Sequence, residues 1–349
     1  MARMTIVDEG GNGLEPVEEV TAELEHLADM RIQGDGTVSD PVPDTGSLSN
    51  LTDLFIRCMR PALFSLLSAD LPSLRKIVVY SSSCCHEEER AMVTALVTKH
   101  ASKLRILNMG CPLPFDPDHP IVYLRLEELH CSILPDDAAT ACPMLRLLSV
   151  SGIQSVHLID RLPTRLVSLH LDLKQENVIR SMYELVSAVS RLVHLQSLSL
   201  ILDQRMWHDP DGVFVDLCKP LIHLKKLCID LCNSELLESD HLVQRLACWC
   251  PGLQSLWLHN MILTDYSLAS LSPMPQLNTL HLDVVNRFTS KGWRFLLSSP
   301  VMSSLDYLFI GDAGDNVALI EHQLTCLSRI RGGDSRLEMM GERGILFQS

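Results

Sequence analysis

One pattern constrains this chain more than any other: a leucine frame, L-x-x-L-x-L, that returns along nearly its whole length. It is clearest between Cys248 and Asp283. There Leu253, Leu256 and Leu258 set the frame once, and Leu277, Leu280 and Leu282 set it again. Between them lies a turn and then Thr264 to Leu271, with apolar positions at helical spacing. Side chains alternate along an extended strand, so the two leucines of L-x-L point to one side. Each frame therefore predicts a short strand with one apolar face, followed by a return segment.

Twelve frames can be placed, beginning at Leu27, Leu51, Leu74, Leu104, Leu126, Leu145, Leu166, Leu195, Leu224, Leu253, Leu277 and Leu305. The intervals are 24, 23, 30, 22, 19, 21, 29, 29, 29, 24 and 28 residues. A period of about 20–29 residues with this frame is that of the leucine-rich repeat. The predicted fold is an α/β leucine-rich-repeat solenoid, a horseshoe with parallel β-strands on the concave face and helices or extended segments on the convex face. Parallel strands lie about 4.8 Å apart and helices about 8–10 Å apart, so units that carry helices splay outward and curve the array.

Three stretches follow from this. Residues 1–26 read as an acidic leader with a possible cap helix, opened by Pro16 and carrying Val17, Val20 and Leu24 at helical spacing. Residues 27–330 read as the solenoid, of about twelve repeats, and 331–349 as a flexible C-terminal tail. Helices are expected over 87–100, from Asn177 to Leu192, over about 240–250 and over 316–330. The 19-residue interval after Leu126 has no room for a full helix, so the chain between Leu126 and Leu169 should be thin.

Composition agrees. Hydrophobic residues make 46% of the chain and aromatics only 5%, so the apolar content is aliphatic, as stacked leucine columns require. The net charge is −14, and residues 1–50 hold eleven Asp or Glu against two Arg. Such a balance repels nucleic-acid phosphates and anionic membranes, and neither is expected as a partner. A secretory signal and an apolar run of the ~20 residues needed to span a membrane are both lacking in the sequence. The expected location is cytoplasmic, with the nucleus as a second compartment. The twelve cysteines are then expected as reduced, mostly buried thiols.

Beyond the leucines, Cys142-Pro143-Met144-Leu145 and Cys250-Pro251-Gly252-Leu253 both carry C-P-x-L into a strand, and Leu263-Thr264-Asp265-Tyr266-Ser267-Leu268 follows the second. This resembles the cysteine-containing leucine-rich repeats of F-box substrate receptors, the ribonuclease-inhibitor-like type. In that family a helix ends in C-P-x-L and the next turn reads like I-T-D-x-G-L; here Tyr266 stands at the freer place and Ser267 where the family has a glycine. The Leu-Pro-x-Glu opening of the family's F-box is absent. The chain is expected to be either a truncated form or a relative that lost the box, and contact with the SCF ligase adaptor requires an F-box upstream. The resemblance implies substrate recognition for SCF-type ubiquitin-dependent degradation. Two alternatives remain open: a regulator of another enzyme, of the ribonuclease-inhibitor-like or GTPase-activator-like kind, and a passive scaffold.

Residues flanking the core leucines should line the inner wall. These candidates for gripping a protein client are Tyr80, His130, His170, Asp172, Asp230, Trp257, His259, His281, Asp283, Tyr307 and Phe309, with a centre at Trp257, His259, His281, Asp283 and Phe309. Wall aromatics are expected to meet solvent unless a partner covers them or Trp257 lies flat on neighbouring strands. No catalytic motif is present, whether G-x-S-x-G, H-E-x-x-H or a phosphate-cradling loop, so the chain is not expected to be an enzyme and no catalytic residue or cofactor is assigned. Nor is a metal site: side chains on adjacent strands stand parallel, and the cysteines lack paired C-x₂₋₄-C spacing.

Overall fold

The computed structural model describes residues 2–7, 30–33, 49–56, 70–79, 87–112, 121–134, 138–153, 157–174, 182–203, 217–232, 239–311, 320, 336–340 and 344–348. The chain divides into two compact units, Met1–Val150 and Ser151–Ser349. The division falls inside the stretch expected as one solenoid.

The first unit is built on parallel strands: β1 (Ala2–Val7), β2 (Met30–Gln33), β3 (Leu51–Ile56), β4 (Lys76–Val79), β5 (Ile106–Met109), β6 (Glu128–Cys131) and β7 (Leu147–Val150). From β3 onward each strand pairs with the next in sequence. The start is different. β1 lies between β2 and β3, so the frame at Leu27 is not the direct neighbour of the frame at Leu51. Register explains the insertion: Met4 aligns with Met30 and Leu54, and Ile6 with Ile32 and Ile56. The leader thus supplies a strand of its own, and the cap helix expected around Pro16 to Leu24 lies outside the described residues.

The second unit continues with β8 (Ser168–Leu173), β9 (Ser197–Asp203), β10 (Lys226–Cys232), β11 (Ser255–Thr264), β12 (Thr279–Arg287) and β13 (Tyr307–Ile310), each parallel to the next. The stretch expected as a loose tail carries two more strands, β14 (Arg336–Met340) and β15 (Gly344–Gln348). They run antiparallel, and β15 pairs with β13. A bare sheet edge exposes unpaired amides and invites aggregation, and this addition covers that edge of β13.

Helices return the chain: α1 (Glu87–His100), α2 (Ala138–Ala141), α3 (His157–Asp160), α4 (Met182–Ser190), α5 (Asp240–Trp249), α6 (Asp265–Leu271), α7 (Ser290–Leu297) and α8 (Val301–Ser304). Interval length sets their size. The 19- and 21-residue intervals hold the single turns α2 and α3, whereas the 29-residue intervals before β9 and β11 hold α4 and α5. Of α1, Val93, Leu96 and Val97 are buried, as their spacing requires. Asn177 lies outside the described residues, as does the expected closing helix over 316–330 apart from the buried Ile320.

The core is the leucine frame itself. From Leu51 to Ile310 every frame residue is at most 5% exposed. The step before each strand explains the C-P-x-L sequence. Leu145 N–H donates to Cys142 O and Leu253 N–H to Cys250 O, each closing a four-residue turn with proline second, where its fixed φ is preferred. Leu71-Pro72-Ser73-Leu74 and Met274-Pro275-Gln276-Leu277 close the same turn. Its first position is buried whether it holds Cys142, Cys250, Leu71 or Met274. Cysteine is there as a small apolar side chain. Burial pushes the Cys131 and Cys142 thiols up to about 12, which keeps them protonated and unreactive. Among the described cysteines Cys228 and Cys232 are half-buried and Cys248 is exposed, so burial is not the rule for all.

A second ladder ties the helix starts together. Asp240, first residue of α5, accepts from the backbone N–H (2.9 Å) and the hydroxyl of Thr264, and from Ser267 Oγ at 2.5 Å. Asp265, first residue of α6, accepts from Thr289 N–H (2.8 Å) and Oγ1 (2.6 Å). Thr264 and Thr289 are in turn the N-caps of α6 and α7. The third residue of the helix that follows each aspartate's own helix must be small. A Cβ on Gly292 would stand 2.0 Å from Asp265 Oδ1. Ser267 fits at the equivalent place because its own hydroxyl is the donor to Asp240.

Candidate functional site

Strand register arranges the residues between the core leucines into rows on the strand face of the second unit. One row runs His170, Ser199, Cys228, Trp257, His281, Phe309 across β8 to β13. The next runs Asp172, Ile201, Asp230, His259, Asp283. A row on the other side ends Ser255, Thr279, Tyr307. Eight of the eleven expected wall residues fall on the four strands β10 to β13 or on β8 in these rows, joined there by Tyr307, the ninth. Tyr80 lies outside the described residues. His130 is on β6 in the first unit, where its Nε2 donates to Glu128 Oε1 at 2.9 Å.

The aromatic members are stacked. The Trp257 indole and the His281 imidazole stack nearly parallel, 2° apart with centroids at 4.4 Å. Phe309 closes the other side of His281 at 4.1 Å and 18°. Tyr307 lies 6.1 Å from Trp257 at 7°, and His259 meets His281 at 4.7 Å. These rings cover one another, so Trp257, Tyr307 and Phe309 are half-buried, not fully exposed as expected of bare wall residues. Trp257 Nε1–H is satisfied by Ser255 Oγ at 3.0 Å. What remains in solvent is the edge and outer surface of a continuous ring stack, an amphipathic surface of the kind that anchors interfaces.

Polar groups border the stack. His259 Nδ1 stands 3.6 Å from Asp283 Oδ2. Asp230 Oδ1 accepts from Asn260 Nδ2 at 2.8 Å and from Cys232 Sγ at 3.5 Å. Asn260 has φ 59°, a left-handed conformation that asparagine tolerates, and the β11–β12 register shifts just there. His170 Nδ1 shares a hydrogen bond with Ser199 Oγ at 2.8 Å, and Asp172 Oδ1 accepts from Lys174 N–H at 3.3 Å. Beside Trp257 a shallow groove is lined by Ser197, Ser199, Lys226, Cys228, Ser255 and Thr279.

Burial among the rings holds His281 down at about 4, the neighbouring His259 adds to this, and Asp283 opposes it. The imidazole is therefore neutral at pH 7. Its Nδ1 is buried and takes no hydrogen bond. The frame alone signals which residues share a row. It gave no sign of Gly311, which the structure adds to the site: a Cβ there would lie 2.3 Å from Asp283 Oδ1, so only glycine leaves the carboxylate its place.

No family model matches the chain, and curated protein sequences give no significant match. Solved structures do. An internalin from Listeria monocytogenes is 18% identical with a TM-score of 0.40, over 72% of this chain and 74% of that one. Human 5T4, also titled Wnt-activated inhibitory factor 1 or trophoblast glycoprotein, is 22% identical with a TM-score of 0.39, over 57% and 77%. TLR13, solved with ssRNA13, is 18% identical with a TM-score of 0.38, over 73% of this chain and 32% of its own. At such values the likeness goes no further than the fold. The leucine-rich-repeat architecture stands on the strand register and buried frames described above. Among the described residues no helix is long and apolar enough to cross a membrane.

Proposed function

We propose that this chain is a non-enzymatic protein-binding module whose client sits on the strand face of β10 to β13. The observation that carries this reading is the stacked row Trp257–His281–Phe309, flanked by Tyr307 and by the polar pair His259 and Asp283. A surface-facing ring stack is costly to keep in water and serves an interface, where Trp and Tyr are the usual anchors. The stack is pre-organised, because each ring is held by its neighbours, so little side-chain freedom is lost on binding. Within the second unit, His170, Asp172 and Asp230 extend the surface with hydrogen-bonding groups that select among clients.

The finer reading draws on the C-P-x-L and L-T-D-x-S resemblance: the client is a substrate presented for SCF-type ubiquitin-dependent degradation. Two measurements test the two levels. Captured proteins are quantified for the wild-type chain and for Trp257→Ala and Asp283→Ala variants of equal melting temperature. Loss of a common set by about tenfold or more is expected for Trp257→Ala, the scale of an interface anchor. Unchanged capture by both variants would remove the patch. Separately, the natural full-length transcript is mixed with the ligase adaptor; absence of a complex would remove the degradation role and leave the binding role standing.

A further inference from the structure

We propose that His259, His281 and Asp283 form a site for a divalent transition-metal ion of the zinc class, bridging β11 and β12 on the strand face. One donor atom from each residue lies within 4.8 Å of the others. His259 Nδ1 and Asp283 Oδ2 are 3.6 Å apart. Zinc bonds to imidazole and carboxylate run about 2.0–2.2 Å, so two ligands at a tetrahedral angle stand about 3.4 Å apart. That pair already has the spacing of two ligands. Bringing in the ring nitrogen of His281 takes a closing movement of roughly 1 Å. Asp283, at 58% exposure, has the freedom to make its share of it.

The strands explain why these donors converge although neighbouring side chains on a sheet are parallel. His281 and Asp283 are two apart on β12 and so share a face. His259 is the register partner of Asp283 on β11, one strand spacing away. Stacking between Trp257 and Phe309 fixes the plane of His281. Gly311 clears the space that Asp283 occupies. His281 Nδ1 is buried without a hydrogen bond, which is rare enough in folded proteins to need a cause, and an ion at that nitrogen supplies the partner.

Two imidazoles and one carboxylate suit zinc, copper(II) or nickel(II), and disfavour magnesium and calcium, which take oxygen sets. Three protein ligands leave one position for water. This inference does not rest on the protein-binding reading, since the isolated chain is expected to bind the ion by itself.

The test is calorimetric titration of the chelator-stripped full chain with Zn²⁺, in a Cys248→Ser background because that thiol is exposed. Quenching of tryptophan fluorescence by Cu²⁺ locates the ion, because the Trp257 ring lies 4.4 Å from the His281 ring. A single ion per chain is expected, with a Cu²⁺ quench that Trp257→Phe abolishes. Asp283→Ala and His259→Gln should each weaken binding by about tenfold or more. Asp283 is exposed, so Asp283→Ala keeps the test valid even where a His281 variant fails to fold. Absence of saturable Zn²⁺ binding, equal affinity in both variants, or displacement of Zn²⁺ by Mg²⁺ at similar concentration would overturn the site.

Discussion

His281 shows how one residue can be set by its row. Between Trp257 and Phe309 the imidazole loses hydration and stays neutral in the folded chain down to about pH 4. In the unfolded chain it titrates near its ordinary value of about 6.5. The folded value lies below the unfolded one, so as pH falls the unfolded chain takes the proton first. Stability is therefore expected to decline between about pH 6.5 and about pH 4, and this part of the decline should vanish in His281→Phe, which keeps the stack. Melting curves of both chains in chelator-containing buffer check it; parallel curves through that window would show that His281 is not held neutral. The membership of the row was legible from the frame alone, because the residue between two core leucines must face the other way. Ring stacking, the buried Nδ1 and the clearance at Gly311 were not, since they depend on rotamers and strand register that no single repeat encodes.

Elements were legible in proportion to how well their leucines were kept. Every frame from Leu51 to Leu305 opens a strand, because two buried leucines on one side leave a short segment no other regular form. β1 was missed because its frame reads Met1, Met4, Ile6, with no leucine at all, and sits at the start of an acidic leader. β14 and β15 were missed because antiparallel edge strands obey no repeat. The helix-start ladder was half legible: Thr264-Asp265 stood out, while Ser239-Asp240 and Thr289-Ser290 did not, though they stand 25 residues before and after. The ladder makes a prediction at its own scale. Asp265→Ala leaves the Thr289 N–H and hydroxyl to water in place of their acceptor and is expected to cost about 0.5–1.5 kcal/mol. Gly292→Ala should be destabilising too, from the 2.0 Å clash with the same carboxylate. Denaturant unfolding of both variants checks this, and a double variant that loses less than the sum would tie the two effects to one site. Wild-type stability in Asp265→Ala would mean that the ladder holds nothing together.

For the molecule as a whole, the repeat separates two tasks along every strand. Leucines at alternate positions build the core, and the residues between them stay outside it, on the strand face. In the second unit those positions assemble rings and charges on β10 to β13, while the helix side exposes apolar residues such as Tyr266, 72% exposed. The claim that the strand face is the recognition surface is tested most directly by site-specific photo-crosslinking. A photoreactive phenylalanine analogue replaces Phe309 in one chain and Tyr266 in another, and adducts are read in cell extract. Discrete protein adducts from position 309 that excess unlabelled chain competes away, with none from position 266, are the expected result. Adducts from position 266 alone, or none that the unlabelled chain displaces from 309, would contradict it.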